Sequence, residues 1–134
     1  MKLEAYVDGG SRGNPGEAGS GVHFPGVVRV AEYLGMGTNN FAEYSALLTA
    51  LRFAAFSHCE ELHVFADSEL VVRQIKGEYQ VKSESIRLLY DSALRWIATI
   101  PRFSISHVRR EKNKESDKLA NLAMDTRRNT VQWE

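Results

Sequence analysis

An α/β fold, built on one mixed five-stranded sheet with helices on its faces, follows from three features of the 134-residue sequence. Strand-like segments with β-branched and aromatic residues fill positions 2–34. Apolar residues switch to the helical i, i+3, i+4 spacing after position 40. Strand-like and helical segments then alternate along the remaining chain. Such an order implies a sheet that begins antiparallel and grows by parallel additions. No internal repeat, linker or low-complexity stretch divides the chain, so one domain over residues 1–126 is expected, followed by a tail at 127–134.

Lys2–Asp8 alternates as a strand does. Gly9 to Gly21 holds six glycines and Pro15 and is expected to be a turn-rich loop. Residues 20–24 and 27–34 are short apolar runs split by Pro25-Gly26, a hairpin pattern. Tyr44, Leu47, Leu48, Leu51 and Ala55 share one face of a helix over 41–56. Leu62 to Ala66 fits a buried strand, and residues 68–76 a short helix stopped by Gly77. Ile86, Leu89, Tyr90, Ala93, Leu94 and Ile97 form a second helical face, closed by Pro101. Residues 103–108 alternate again, and Leu119, Leu122 and Ala123 mark a last helix. Only Val131 and Trp133 are apolar in the tail, a composition that suits docking and fraying alike.

Composition narrows the function classes. With 43% apolar and 25% charged residues the chain is not of the disordered class. No run approaches 18 apolar residues, so no membrane span is expected. Met1-Lys2 runs straight into a strand without a signal-like apolar segment. Cys59 is the single cysteine, which excludes an internal disulfide and a multi-cysteine zinc site, and a reducing cytoplasm is the expected compartment. No interface signature argues against a monomer. The net charge is zero but unevenly spread: residues 1–69 carry four Lys/Arg against nine Asp/Glu, and residues 102–128 carry eight against four. Two halves folding against each other would satisfy this asymmetry. So would an acidic pocket for cations beside a basic face for phosphates.

Four acids fall where a sheet protein places chemistry. Asp8 and Asp67 end strands, and Glu43 and Asp117 lie in first turns of helices. Each has an ordinary structural duty available. Asp8 can form a turn before Gly9-Gly10, Asn40 to Glu43 fits a capping box, Asp67 can cap the helix at Ser68, and Asp117 suits a helix dipole. Convergence of all four points elsewhere, because clustered carboxylates repel and a divalent cation removes the conflict. An all-oxygen donor set suits Mg²⁺, with Mn²⁺ also compatible, rather than zinc. Two such ions roughly 3.5–4 Å apart clamp the attacking and leaving oxygens of an in-line phosphodiester displacement.

These residues carry a family resemblance. Asp8-Gly-Gly-Ser-Arg-Gly-Asn-Pro-Gly16, Thr38-Asn-Asn-Phe-Ala-Glu-Tyr44, Phe65-Ala-Asp-Ser-Glu-Leu-Val-Val72 and Asn113-Lys-Glu-Ser-Asp-Lys-Leu-Ala120 resemble, in order, the four acid-bearing segments of type 1 ribonuclease H. The match runs from residue 3 to about 125. The resemblance implies a ribonuclease H-like fold and an endonuclease that cuts the RNA strand of RNA/DNA hybrids with two Mg²⁺ ions, leaving 5′-phosphate and 3′-hydroxyl ends. It implies that Asp8, Glu43, Asp67 and Asp117 are the metal-binding catalytic acids. Asp8 would bridge the ions, Glu43 and Asp67 would help place the one that activates water, and Asp117 would complete the other's shell. Gly9, Gly10, Asn14, Asn39 and Asn40 are placed by the resemblance along the minor groove of the hybrid, where 2′-hydroxyls distinguish RNA from DNA.

The sequence departs from the family pattern twice. Gly77 to Pro101 is too short for the extra helix of the basic protrusion found in many bacterial members, so Tyr79, Lys82 and Arg87 are left to meet the DNA strand. Met36 stands where a basic residue often serves a DNA-phosphate pocket. The loop before the last helix, Arg109-Arg-Glu-Lys-Asn-Lys114, lacks the histidine often found there. Arg110 or Lys112 is the expected auxiliary cation in its place, and His107 is expected to be a buried or paired strand residue. Both departures match archaeal-like members. A non-catalytic nucleic-acid-binding module of the same fold, or a nuclease also cutting double-stranded RNA, are the rival readings.

Overall fold

The computed structural model describes residues 1–134. In chain order the elements are β1 Lys2–Gly13, β2 Gly16–Phe24, β3 Val28–Gly37, α1 Asn39–Phe56, β4 Glu61–Ala66, α2 Glu69–Ile75, α3 Glu84–Ile97, β5 Arg102–His107, α4 Lys114–Thr126 and β6 Thr130–Trp133, with a 3-10 turn at Arg110–Lys112. One mixed sheet runs β5-β4-β1-β2-β3-β6. β1, β2, β3 and β6 pair antiparallel, and β4 and β5 add parallel to β1. α1 packs on β1 with α3 outside it, over a core that includes Ala5, Val7, Leu47, Leu51, Leu62 and Val64. α4 covers β2 and β3 on the opposite face through Ala31, Leu119 and Ala123. Between Gly77 and Pro101 there is one helix, as the length predicts. No helix is long and apolar enough to cross a membrane.

The sheet has six strands where the sequence pattern predicts five. The extra strand comes from the segment set apart as the tail. Periodicity misses β6 because no side chain on it is buried: Val131 is 57% and Trp133 67% exposed. The strand is held instead by its ladder to Val28–Ala31 of β3 and by Glu134. The Glu134 carboxylate accepts from Arg29 Nε at 2.7 Å and from the Gly26 N–H at 2.8 Å, and it lies 3.1 Å from His23 Nε2. These partners, Arg29 foremost, hold its pKa down to about 2. Deleting residues 130–134 uncovers the β3 edge and removes this anchor. The expected outcome in calorimetry is a melting temperature lower by several degrees with the helical far-UV signal kept; an unchanged melting temperature would show that β6 adds nothing.

The glycine-rich stretch also differs from the expected loop. Gly9 to Gly13 continue β1 and pair with Ser20 to Gly16 of β2. Glycine serves close approach here rather than turning. A Cβ on Gly9 would lie 2.2 Å from the Ala42 carbonyl carbon of α1, and one on Gly21 would lie 2.1 Å from the Ser116 oxygen of α4. One glycine on each of two neighbouring strands thus lets a helix seat against each face of the sheet. His107 ends β5 in register with Ala66, so it is paired through its backbone, but its side chain is exposed rather than buried because β5 is an edge strand.

Candidate active site

Parallel pairing of β1 with β4 ends at Val7 and Ala66, so Asp8 and Asp67 emerge next to each other. Asp67 follows the end of β4, but Asp8 lies within β1 rather than at its end as expected, because β1 continues to Gly13 paired with β2 alone. The helices are capped by other residues. Thr38 accepts from the Phe41 N–H at 3.1 Å and Ser68 from the Val71 N–H at 3.2 Å. Neither the Asn40–Glu43 capping box nor an Asp67 cap forms, and both acids are left for other work. Glu43 also lies past the first turn where it was expected, because α1 starts at Asn39 behind the Thr38 cap. Asp117 is placed by a buried polar clasp. Asn113 Nδ2 donates to the Val7 carbonyl at 2.9 Å, and Ser116 Oγ donates to Asn113 Oδ1 at 2.7 Å. This clasp ties the start of α4 to β1 one residue before Asp8. Sequence reasoning missed it; the signal was Asn113-x-x-Ser116, two polar residues on the inward side of a helix start.

All four acids line one open cleft of about 320 Å³ with Gly9, Gly10, Ser11, Arg12, Asn39, Arg110, Asn121 and Met124. Its floor is apolar: Val7, Leu47, Ala66, Val71 and Ile105 lie beneath Asp8, Glu43 and Asp67. Burial therefore drives the electrostatics. The Asp8 pKa is pushed up to about 8, first by desolvation, then by the charge of Asp67 and by hydrogen bonding to and repulsion from Asp117. The Gly9 N–H, donating to Asp8 Oδ1 at 2.9 Å, opposes that rise. Glu43 rises to about 7, mainly through burial; the Ser68 hydroxyl and Arg110 pull it down while Asp67 pushes it up.

This is a donor set for hard divalent cations, all oxygen and burdened by mutual repulsion. No three of the carboxylates enclose a single cation-sized point. A divalent cation held here would be bound through one or two of the carboxylates, with positions left for water and phosphate.

The other predicted residues separate into those in the cleft and those outside it. Gly9, Gly10 and Asn39 form its wall. Asn39 Oδ1 accepts from the Ser11 N–H at 2.7 Å, which fixes the amide. Asn14 does not line the cleft; its Oδ1 accepts from the Asn39 N–H at 3.1 Å and so holds Asn39. Asn40 also stands outside the lining, with its Oδ1 buried and unpartnered. Lys82 is exposed between α2 and α3, beside a hollow lined by Tyr79, Arg87 and Tyr90. Arg73 sits over the Tyr79 ring at 5.3 Å. Met36 is 70% exposed. The two candidate auxiliary cations part company. Arg110 faces the acids, whereas Lys112 lines a separate hollow with Tyr6, His23 and Lys114, because the 3-10 turn points alternate residues to different sides. Ser11, Arg12 and Asn121 are cleft residues that sequence reasoning did not single out.

Comparison with known proteins places the chain among relatives of the same fold. The family described as reverse transcriptase-like matches residues 7–123. A bifunctional protein of Mycobacterium tuberculosis is 38% identical over 131 residues, covering 93% of this chain and 36% of that protein. Ribonuclease HI of Halobacterium salinarum is 37% identical over 129 residues, covering 92% of this chain and 65% of that protein. The chain thus spans about a third of the mycobacterial relative and just under two thirds of the archaeal one. The crystal structure of RNase H1 from Halobacterium salinarum superposes with a TM-score of 0.90 at 36% identity, covering 94% of this chain and 99% of that one. LC11-RNase H1, solved in complex with an RNA/DNA hybrid, gives a TM-score of 0.86 at 36% identity, with 94% and 99% covered. By fold and by these relatives, the chain belongs to the ribonuclease H1 family.

Proposed function

We propose that the chain hydrolyses the RNA strand of RNA/DNA hybrids using two divalent cations, Mg²⁺ or Mn²⁺, and leaves 5′-phosphate and 3′-hydroxyl ends. The convergence of Asp8, Glu43, Asp67 and Asp117 in one cleft carries this reading. Asp8 interacts with both Asp67 and Asp117, so it is the carboxylate two cations would share, with Glu43 and Asp67 on one side and Asp117 on the other. Bound cations supply charge neutralisation and an activated water for in-line displacement. The chain's own groups bind and orient. Gly9 and Gly10 bring backbone close to the minor groove, and Asn39, braced by Ser11 and Asn14, presents a fixed amide. Arg110 lies where it stabilises charge developing on the phosphate. Lys82, Tyr79 and Arg87 stand further out as contacts for the DNA strand. The chain is proposed to act as a monomer in the cytoplasm.

End-labelled hybrid, double-stranded RNA, single-stranded RNA and double-stranded DNA, each incubated with Mg²⁺ or with EDTA, test the proposal. Cutting confined to the RNA strand of the hybrid, and only with Mg²⁺, is expected. Hybrid binding in both conditions without cutting would identify a binding module. Equal cutting of double-stranded RNA would identify a broader nuclease.

A further inference from the structure

The four acids repel the very backbone that the cleft must receive, so a cation beside them bears on how substrate is held. Two arginines line the cleft. Arg110 stands by Glu43. Arg12 stands near the end of β1 on the cleft lining.

The Arg12 guanidinium reaches α4. Its Nη2 lies 2.6 Å from Asp125 Oδ1 and 3.4 Å from Asn121 Oδ1. Asn121 Nδ2 in turn donates to the Asp117 carbonyl at 3.0 Å and approaches Asp117 Oδ1 at 3.4 Å. Arg12 is therefore tied, through one amide, to a carboxylate of the cluster. Both of its contacts use Nη2, the nitrogen shared by the two donor-pair edges of a guanidinium. Either edge can grip two oxygens of one phosphate once Nη2 is shared with, or released from, Asp125. The Arg12 side chain is 46% exposed and Asp125 61%, so their ion pair is a weak surface one that an incoming phosphate can share or displace.

We propose that Arg12 forms a second anion subsite of the cleft. It would grip a backbone phosphate of the bound hybrid near the one that is cut, with Asp125 as the counter-charge that restrains it in the free protein. This rests on the ribonuclease reading above.

Cleavage of labelled hybrid by the full chain, its dependence on salt and the melting temperature are measured for wild type, Arg12→Ala, Arg12→Lys and Asp125→Asn. Arg12→Ala is expected to raise KM roughly tenfold, with the loss falling on KM more than on kcat. It should also flatten the slope of log kcat/KM on log salt by about 0.9, one phosphate contact. Arg12→Lys should keep the slope but not the full affinity, since a lysine is a point charge. Asp125→Asn should lower KM. The two halves of one ion pair thus move KM in opposite directions, which a merely structural pair cannot do. Neutral methylphosphonate linkages placed singly in the RNA or the DNA strand locate the phosphate: at one of them wild type should drop to the Arg12→Ala level. A wild-type salt slope in Arg12→Ala, a raised KM in both variants with lower melting temperatures, or no sensitive linkage in either strand would each overturn the proposal while wild type still cuts hybrid. If wild type cuts no hybrid, the ribonuclease reading falls and this inference with it.

Discussion

Asp8→Asn is expected to reduce hybrid cleavage in Mg²⁺ by about a hundred- to a thousandfold and, at the same time, to raise the melting temperature in EDTA at pH 8. Both effects have one cause. Asp8 is buried over an apolar floor beside Asp67 and Asp117, and its pKa near 8 measures how poorly the folded chain tolerates its charge. Asparagine has the same shape, still accepts the Gly9 N–H bond through Oδ1, and carries no charge. Removing the charge relieves a penalty on the order of a few kcal/mol. It also removes the carboxylate that two cations would share, and losing one electrostatic group of this kind commonly costs about 10²–10³ in rate. Retained activity would exclude Asp8 from the chemistry; a lower melting temperature would show that the acid holds the fold together instead.

The second large effect is expected at a residue with no side chain. Gly21→Ala places a methyl group 2.1 Å from the Ser116 oxygen and 2.7 Å from the Ala120 nitrogen, both backbone atoms of α4. Backbone cannot step aside as a flexible side chain does, so α4 must lift from β2. Overpacking of this kind costs about 3 kcal/mol. Asp117 rides on α4, and cleavage should fall even well below the melting temperature. Gly26→Ala is the control. Its φ of +76° strains any L side chain, but nothing lies within 4 Å. It should cost about 1–2 kcal/mol of stability and leave cleavage unchanged. Urea denaturation and initial rates distinguish the two. A Gly21→Ala chain as stable as Gly26→Ala would refute the close seating of α4.

What the sequence made legible follows the reach of each signal. Apolar periodicity located α3, α4 and β4, because each buries one face and the pattern records burial. α1, packed between β1 and α3, is buried most of the way round, and its run of apolar residues marks it instead. Asp67 after β4 and Asp117 in the first turn of α4 lie where the sequence puts them, whereas Asp8 lies within β1 and Glu43 beyond the first turn of α1. The parallel β1–β4 pairing, which stops at Val7 and Ala66, is what makes Asp8 and Asp67 neighbours. β6 was not legible, since it buries nothing and depends on Glu134 finding Arg29 across the sheet. Nor was the extension of β1 through Gly13: glycines that permit helix contact look like glycines that permit turns. The Asn113 clasp escaped for a related reason. Its hydrogen-bond partner, the Val7 carbonyl, is a backbone atom that leaves no trace in residue type. Lys112 and Arg110, two residues apart in one loop, differ only in which side of the 3-10 turn they face.

Melting temperature as a function of pH, in EDTA and in Mg²⁺, tests most directly whether the acids are held together against their own repulsion for a cation to relieve. Asp8 rises from an ordinary 3.8 to about 8 and Glu43 from 4.5 to about 7. Between those limits the folded chain holds more protons than the unfolded one. The stability these groups allow is full below pH about 4 and is lost as pH climbs through 7 and 8. In EDTA the melting temperature should therefore fall across that window, and in Mg²⁺ the fall should be largely abolished, as cations replace the departing protons. Superimposable curves in the two media, or a melting temperature in EDTA that rises toward pH 8, would contradict the account.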